Sequence, residues 1–387
     1  MARALQCPNL GIWNCWLDPL ITTISADLQA SPTDGINRLV VSVVEADSFN
    51  AVYTLDNKRS PSVGTIRNQL QITEANLLGL GDSLSIGTSL TSGSQGINAN
   101  YTLPVSPHGT TLNWTIDLSD NDVVEEPFDD LDINSDSSFY ELTLKQPLWR
   151  TPSQEFAIGL IASHQRAQTS LGFNDLGPTA LAPGADDQGR TRVSALRFFQ
   201  EWTDRTPQQV LALRSQFNLG LDALGATINT GNDPDSRFFS WQGQAQWVRV
   251  LRPDTLLLLR SNLQLATDPL LNLEQFSLGG QSTVRGYRQN LLSTDNGLLA
   301  SAEVRLPVWR DRDRRLLQLT PFLDMGYGWN MEGDSPDPLA SIGVGLLFRQ
   351  ENLTARLDWG IPLISAGDEN DSLQEKGLHF TLQYSFF

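Results

Sequence analysis

From Phe49 to the C-terminus the chain repeats one unit, about ten residues of loose apolar and polar alternation followed by a turn. Side chains on a strand point alternately to opposite faces, so this pattern builds sheet and gives no amphipathic helix a foothold. The segments expected as strands are 49–56, 64–73, 83–91, 97–103, 110–118, 139–146, 155–164, 192–202, 209–221, 237–251, 255–266, 297–307, 316–329, 340–349, 353–362 and 377–387. The count is about sixteen, an even number, as single-chain bacterial barrels require.

The two faces of these segments differ in kind. In 66–72, Ile66, Asn68, Leu70 and Ile72 share a face, and in 83–91 Leu84, Ile86 and Leu90 do so. Between 316 and 329, Leu319, Leu323, Met325, Tyr327 and Trp329 oppose Thr320, Phe322, Asp324, Gly326 and Gly328. Ser301, Glu303 and Arg305 oppose Ala300, Ala302, Val304 and Leu306, while Arg356 and Asp358 oppose Ala355, Leu357 and Trp359. Charge therefore collects on one face. A dry sandwich core could not hold it, whereas a hydrated lumen can, with lipid against the other face. Trp149, Trp202, Trp247, Trp309, Trp329 and Trp359 fall near expected strand ends, where an aromatic girdle would sit.

No run of eighteen apolar residues exists to make a transmembrane helix, which is compatible with a barrel whose alternating strands average to mild polarity. The net charge of -17 argues against nucleic acid as a partner. Short turns marked by Pro152, Pro207 and Pro253 take turns with long polar loops, the asymmetry of outer-membrane barrels. Two long loops are acidic, Asp120 to Asp136 and Ala366 to Glu375, and are expected as solvated outer loops, since no EF-hand spacing is present for calcium.

One connection stands apart. Between the strands ending at Ala266 and starting at Gly297 lie about thirty residues, where four to six is usual. It contains Phe276 to Arg288, in which Gly279, Gly280 and Gly286 permit backbone angles closed to other residues. Arg285 within it is a permanently charged five-donor fork, so if buried it must meet carboxylates or carbonyls. Asp324, on the charged face of the next strand but one, is the expected partner.

The loop motif Val284-Arg285-Gly286-Tyr287 and the strand motif Phe322-Leu323-Asp324-Met325-Gly326 resemble the paired signature of the Omp85 superfamily. The chain is most similar to its two-partner-secretion branch, the haemolysin secretion/activation transporters of the ShlB/FhaC/HecB type. The resemblance implies a loop folded back into a transmembrane barrel, with Arg285 tethered to Asp324, the loop motif Gly279, Gly280, Val284, Gly286 and Tyr287, and the wall motif Phe322 and Gly326. The last segment sets Leu378, Phe380, Leu382, Tyr384 and Phe386 against His379, Thr381, Gln383 and Ser385. Its Tyr384, Phe386 and Phe387 resemble the tail that barrel-assembly machinery reads. The turns Leu77 to Asp82 and Pro104 to Gly109 resemble periplasmic connections of the secretion branch.

Residues 1–47 do not read as barrel. Asp18-Pro19-Leu20, a segment 21–28, a turn and the strand-like Asn37 to Glu45 suggest a short helix and a β-hairpin, too small for a core of their own. They resemble the end of a POTRA domain, the periplasmic α+β module ahead of such barrels. Residues 1–16 lack the pattern of a secretory signal, so the expectation is a chain that begins inside a longer protein. Cys7 and Cys15 have no metal-ligand spacing. His108, His164 and His379 have no triad or metal companion in sequence, and no GxSxG, P-loop or GxGxxG is present.

The reading is an all-β protein, a 16-stranded antiparallel transmembrane β-barrel over 48–387 with an inward-folded loop 267–296, preceded by a partial POTRA domain over 1–47. By resemblance it is a monomeric outer-membrane pore, not an enzyme and without cofactor or metal, exporting a large β-helical exoprotein unfolded in transit. Outer-membrane lipid and the barrel assembly machinery would be its other partners. An Omp85-type assembly factor and a passive porin are the alternatives.

Overall fold

The computed structural model describes residues 21–30, 37–173, 176–231, 233–311, 315–333, 335–367 and 372–386. Its strands are β1 (Ile21–Ala30), β2 (Asn37–Glu45), β3 (Phe49–Asp56), β4 (Arg67–Ala75), β5 (Ser83–Leu90), β6 (Ser94–Pro104) and β7 (Thr111–Asp122). Next come β8 (Ile133–Arg150), β9 (Gln154–Leu171), β10 (Gly177–Pro178), β11 (Arg190–Arg205), β12 (Gln209–Leu221), β13 (Phe239–Arg252) and β14 (Thr255–Ala266). The last are β15 (Phe276–Leu278), β16 (Leu292–Thr294), β17 (Asn296–Arg310), β18 (Leu316–Trp329), β19 (Leu339–Gln350), β20 (Leu353–Pro362) and β21 (Leu378–Ser385).

Sixteen of these, β3 to β9, β11 to β14 and β17 to β21, form one closed antiparallel barrel, and β10 is a two-residue addition beside β9. Closure is made by β21 on β3, with Thr381 opposite Asp56 and Ser385 opposite Val52. Asn57 extends that seam by accepting from Phe380 N at 2.8 Å and donating to the Leu378 carbonyl at 2.9 Å. A closed ring leaves no strand edge unpaired, which lipid would penalise by several kcal/mol per orphaned group.

Alternation sorts the walls as the sequence implies. Met325 is 54% exposed while its neighbour Asp324 is fully covered, and Leu323, Ile342, Leu346, Leu357 and Trp359 are likewise exposed on the outer surface. An apolar surface of that extent is stable only against lipid. Trp149, Trp202, Trp247 and Trp309 lie in the half of the barrel that carries the short turns, and Trp329 and Trp359 in the half that carries the long loops.

The strands differ from expectation chiefly in length. β8 and β9 run 18 residues each, far beyond 139–146 and 155–164. The added stretch, with Asn134, Ser135, Asp136, Ser137 and Ser138 in β8, is polar on both faces, so no alternation marks it in the sequence. Strand also reaches into the acidic 120–136 segment from both ends, to Asp122 and from Ile133, leaving 123–132 as loop. β21 ends at Ser385, and Phe386 N bonds the Ala51 carbonyl at 2.9 Å.

β1 and β2 pair antiparallel as a separate two-stranded sheet, from Ile21 opposite Glu45 to Ala30 opposite Asn37. The short helix expected before it, with Asp18, Pro19, Leu20, Cys7 and Cys15, lies outside the described residues, as does Phe387.

At the short-turn end, the β4–β5 turn is built on Asp82, which accepts from the backbone N–H of Leu78 at 3.0 Å and from the Tyr101 hydroxyl at 3.0 Å. Desolvation works to raise the Asp82 carboxyl, but those bonds and one from Leu80 outweigh it and hold it below its ordinary value. A depressed carboxyl contributes stability above its unfolded pKa of about 3.9 and loses it as pH falls through the folded value. Asp82→Asn should therefore lower the unfolding temperature of the detergent-solubilised barrel at about pH 7, and the gap to wild type should shrink at about pH 3. An equal gap at both pH values would show that the carboxylate charge contributes nothing to the turn.

Candidate functional site

The connection from β14 to β17 leaves the long-loop end and turns back into the lumen. β15 and β16 pair as a small hairpin, with Phe276 opposite Thr294 and Leu278 opposite Leu292, and carry the tip 279–291 down against the wall. Leu278, Val284, Tyr287, Leu299 and Leu339 form a buried apolar cluster between tip and wall.

Arg285 lies at the bottom of the tip. Its Nε donates to Asp324 Oδ2 at 2.7 Å, its Nη2 to Oδ1 at 2.8 Å, and its own backbone N–H reaches Oδ2 at 3.2 Å. Nη1 donates to Glu303 Oε2 at 2.7 Å, and the guanidinium carbon stands 3.5 Å from the centroid of the Phe322 ring. Ser301 donates to Asp324 Oδ1 at 2.6 Å. Arg285 and Asp324 are 4% and 0% exposed, so this is a two-pronged pair shielded from bulk water with a ring face beneath it.

The wall around the pair is itself a charge network. Arg356 Nη2 donates to Glu303 Oε2 at 2.6 Å and its Nε to Asp358 Oδ2 at 2.6 Å, while Arg305 Nε donates to Glu303 Oε1 at 2.9 Å. Glu303 is thus shared by three guanidinium groups, on β17, on β20 and in the loop. Gln281 of the tip donates to Asp358 Oδ2 at 3.1 Å and accepts from the Thr381 hydroxyl at 3.0 Å. His379 accepts the Gly286 N–H through Nε2 at 3.1 Å, which places its proton on Nδ1.

Two glycines let the tip sit this close. Gly286, at φ +95°, lies backbone to backbone on Gly360 of β20, and a Cβ on Gly360 would fall 2.7 Å from Gly286 N. Val284 fills the space over Gly326, where a Cβ would come within 2.8 Å of Val284 Cγ2. Gly279 and Gly280 take φ +105° and +97° and start the tip, and the Tyr287 hydroxyl stands 2.8 Å from the carbonyls of Ala340 and Ile364.

All the loop and wall residues expected from sequence, Gly279, Gly280, Val284, Arg285, Gly286, Tyr287, Phe322, Asp324 and Gly326, are brought together here. Sequence reasoning placed Glu303, Arg356 and Asp358 on the inner face without assigning them to Arg285. It gave His379 no task, and it treated the acidic loops as merely solvated. Instead Glu125 and Glu375, one from each acidic loop, meet Arg288 at 2.6 and 3.3 Å. The excess of carboxylates in those loops and a second arginine in the tip, Arg288, were the available signal. His164 bonds Ser194 at 2.9 Å, away from the site. Tyr384 and Phe386 stack edge to face at 5.0 Å, also away from the lumen. Among the described residues no group of three His, Cys, Asp or Glu is arranged to hold a metal ion.

A closed barrel whose own loop is pinned to its inner wall invites comparison with known proteins. The sequence model of the haemolysin secretion/activation protein family, ShlB/FhaC/HecB, matches residues 35–348. The chain belongs to this family.

Among its relatives, the outer membrane transporter CdiB of Dickeya dadantii is 21% identical over 326 residues, covering 81% of this chain and 56% of that protein. CdiB of Escherichia coli is 26% identical over 160 residues, covering 39% of this chain and 27% of that protein. The chain thus spans little more than half the length of the relatives it matches. The solved structure of CdiB from Escherichia coli superposes with a TM-score of 0.79 at 19% identity, over 96% of this chain and 69% of that one. BamA from Haemophilus ducreyi lacking POTRA domains 1–3 gives 0.66 at 14% identity, over 96% and 77%. These likenesses show that the chain shares the barrel fold of those two structures.

The Gly286 to Gly360 contact yields a direct test of the docked loop. Gly360→Ala puts a methyl group against the Gly286 backbone and should lift the tip. Protease cleavage between residues 279 and 291 should then become at least several-fold faster in detergent, with the barrel still resisting SDS at room temperature. Cleavage at the wild-type rate would show that the tip is not held by that contact.

Proposed function

We propose that this chain is the membrane-spanning part of an outer-membrane export pore, through which a large secreted exoprotein passes unfolded from periplasm to cell surface. The observation that carries the reading is a lumen occupied by the barrel's own loop and held there by charge. A diffusion pore needs no such plug, whereas a conduit for an occasional polypeptide must be closed between cargoes and releasable when one arrives.

The supports are physical. The short turns would face the periplasm and the long loops the outside, which sets the N-terminal hairpin of β1 and β2 on the periplasmic side. Residues 1–47 would be the end of a POTRA module, whose free sheet edge can capture an extended passenger by strand addition. Folding of the emerging passenger would supply direction, with no nucleotide or redox cofactor. Tyr384, Phe386 and Phe387 would be read by the assembly machinery that inserts the barrel as a monomer. The polar wall, with Asn100, Asn113 and Thr115 bonded to one another, offers a sliding strand side-chain partners that need no specific sequence.

Loss of the tether separates export from assembly. In cells making the chain together with its exoprotein, Arg285→Ala should reduce secreted exoprotein at least about tenfold. Barrel insertion, read by heat-dependent mobility on SDS gels, should be unchanged, because the cost of an uncompensated Asp324, about 3 to 5 kcal/mol if fully dry, is lessened by the wet lumen. Export at the wild-type level would remove the tether from the mechanism.

A further inference from the structure

The tip is not the only part of the loop held by buried charge. Upstream of β15, Glu274 lies against another part of the wall, where Arg197 of β11 grips it with two bonds, Nη2 to Oε1 at 2.6 Å and Nη1 to Oε2 at 3.0 Å. Gln165 of β9 donates to Glu274 Oε1 at 3.0 Å, and Gln264 of β14 donates to the Glu274 backbone carbonyl at 3.0 Å. Arg197 and Glu274 are 7% and 8% exposed, so this pair too is buried, a little less deeply than the one at the tip. It has its own apolar support, since Leu270 and Leu271 pack on Val193, Ala195 and Phe238 in a cluster separate from the one around Val284.

The placement of the two pairs around the ring matters. Counted from β3, β11 is the eighth barrel strand, whereas Asp324 is on the thirteenth and His379, which holds Gly286, is on the sixteenth. Strands eight and sixteen of sixteen stand opposite each other. The loop's contacts therefore reach from β11 to the opposite strand β21, and its two charged anchors, on β11 and on β17 and β18, stand four to five strands apart in the ring.

We propose that Arg197 and Glu274 are positioning residues that form a second anchor of the pore loop, acting in parallel with Arg285 and Asp324. A loop held at both ends stays across the lumen when either anchor lets go, and leaves it only when both do. Release of the tip alone then swings 276–291 about Glu274 without expelling it. This rests on the reading of the barrel as a pore that the loop closes, but it needs no passenger to be tested.

The test is single-channel recording of the purified full chain in planar lipid bilayers, comparing wild type, Glu274→Gln, Asp324→Asn and the double variant. Each single change should raise open probability by at most about threefold, and the double change by at least about tenfold, because parallel restraints fail together and not additively. A double variant no more open than the more open single variant would overturn the proposal. The exchange Arg197→Glu with Glu274→Arg keeps the pair with its charges reversed. In the Asp324→Asn background it should return open probability to that of Asp324→Asn alone, while Arg197→Glu in that background should open the pore as the double variant does. Failure of the exchange to close better than Arg197→Glu would likewise overturn the anchor. Exoprotein export, measured in parallel, reports on the transport reading separately, so loss of either claim is distinguishable from loss of the other.

Discussion

Everything in the lumen depends on one buried guanidinium having its carboxylates already in place. Taking Arg285 out of water costs several kcal/mol, and Asp324 and Glu303 offset that cost only if they cannot drift. Closed strands provide that fixity. Asp324 and Glu303 stand on adjacent strands, with Ser301 opposite Asp324 and Glu303 opposite Phe322 in the ladder. Ser301 and Arg356 each hold one of the carboxylates in turn. A sheet with free edges would twist and splay, and the same residues would then make an ordinary solvated ion pair worth little.

The barrel itself was plain in the sequence because two solvents act on it at once. Lipid selects Leu323, Met325 and Trp359 on one face, and the lumen selects Asp324, Asp358 and Arg356 on the other, so alternation persists from strand to strand. Where both faces are polar that contrast disappears, and so the added ends of β8 and β9 could not be read. The tether was legible for another reason: Arg285 and Asp324 each sit in a motif whose glycines admit close approach.

Partners that depend on register were not legible. Nothing in the local sequence around Glu303 says that three arginines will converge on it, since Arg356 is three strands further on in the ring. Nothing near His379 says that its ring will meet Gly286. The Arg197 and Glu274 pair needs both the ring order of the strands and the path of the loop across the lumen before it can be drawn at all. The acidic loops show the same limit: their charge was evident, and its engagement of Arg288 was not.

The contact of Gly286 on Gly360 brings two bare stretches of backbone together, and so contributes little dispersion energy or apolar burial of its own at that point. At the seat of Arg285, beside the apolar cluster around Val284, the hold on the tip is therefore largely electrostatic, and electrostatics in a barrel lumen is governed by wetting. Two unit charges at 4 Å attract by about 4 kcal/mol where the effective dielectric constant is near 20, and by about 1 kcal/mol in bulk water. A file of water admitted beside Arg285 would thus weaken that attraction about fourfold in energy with no side chain changing its rotamer, which makes hydration of the seat a lever on the docked loop in its own right.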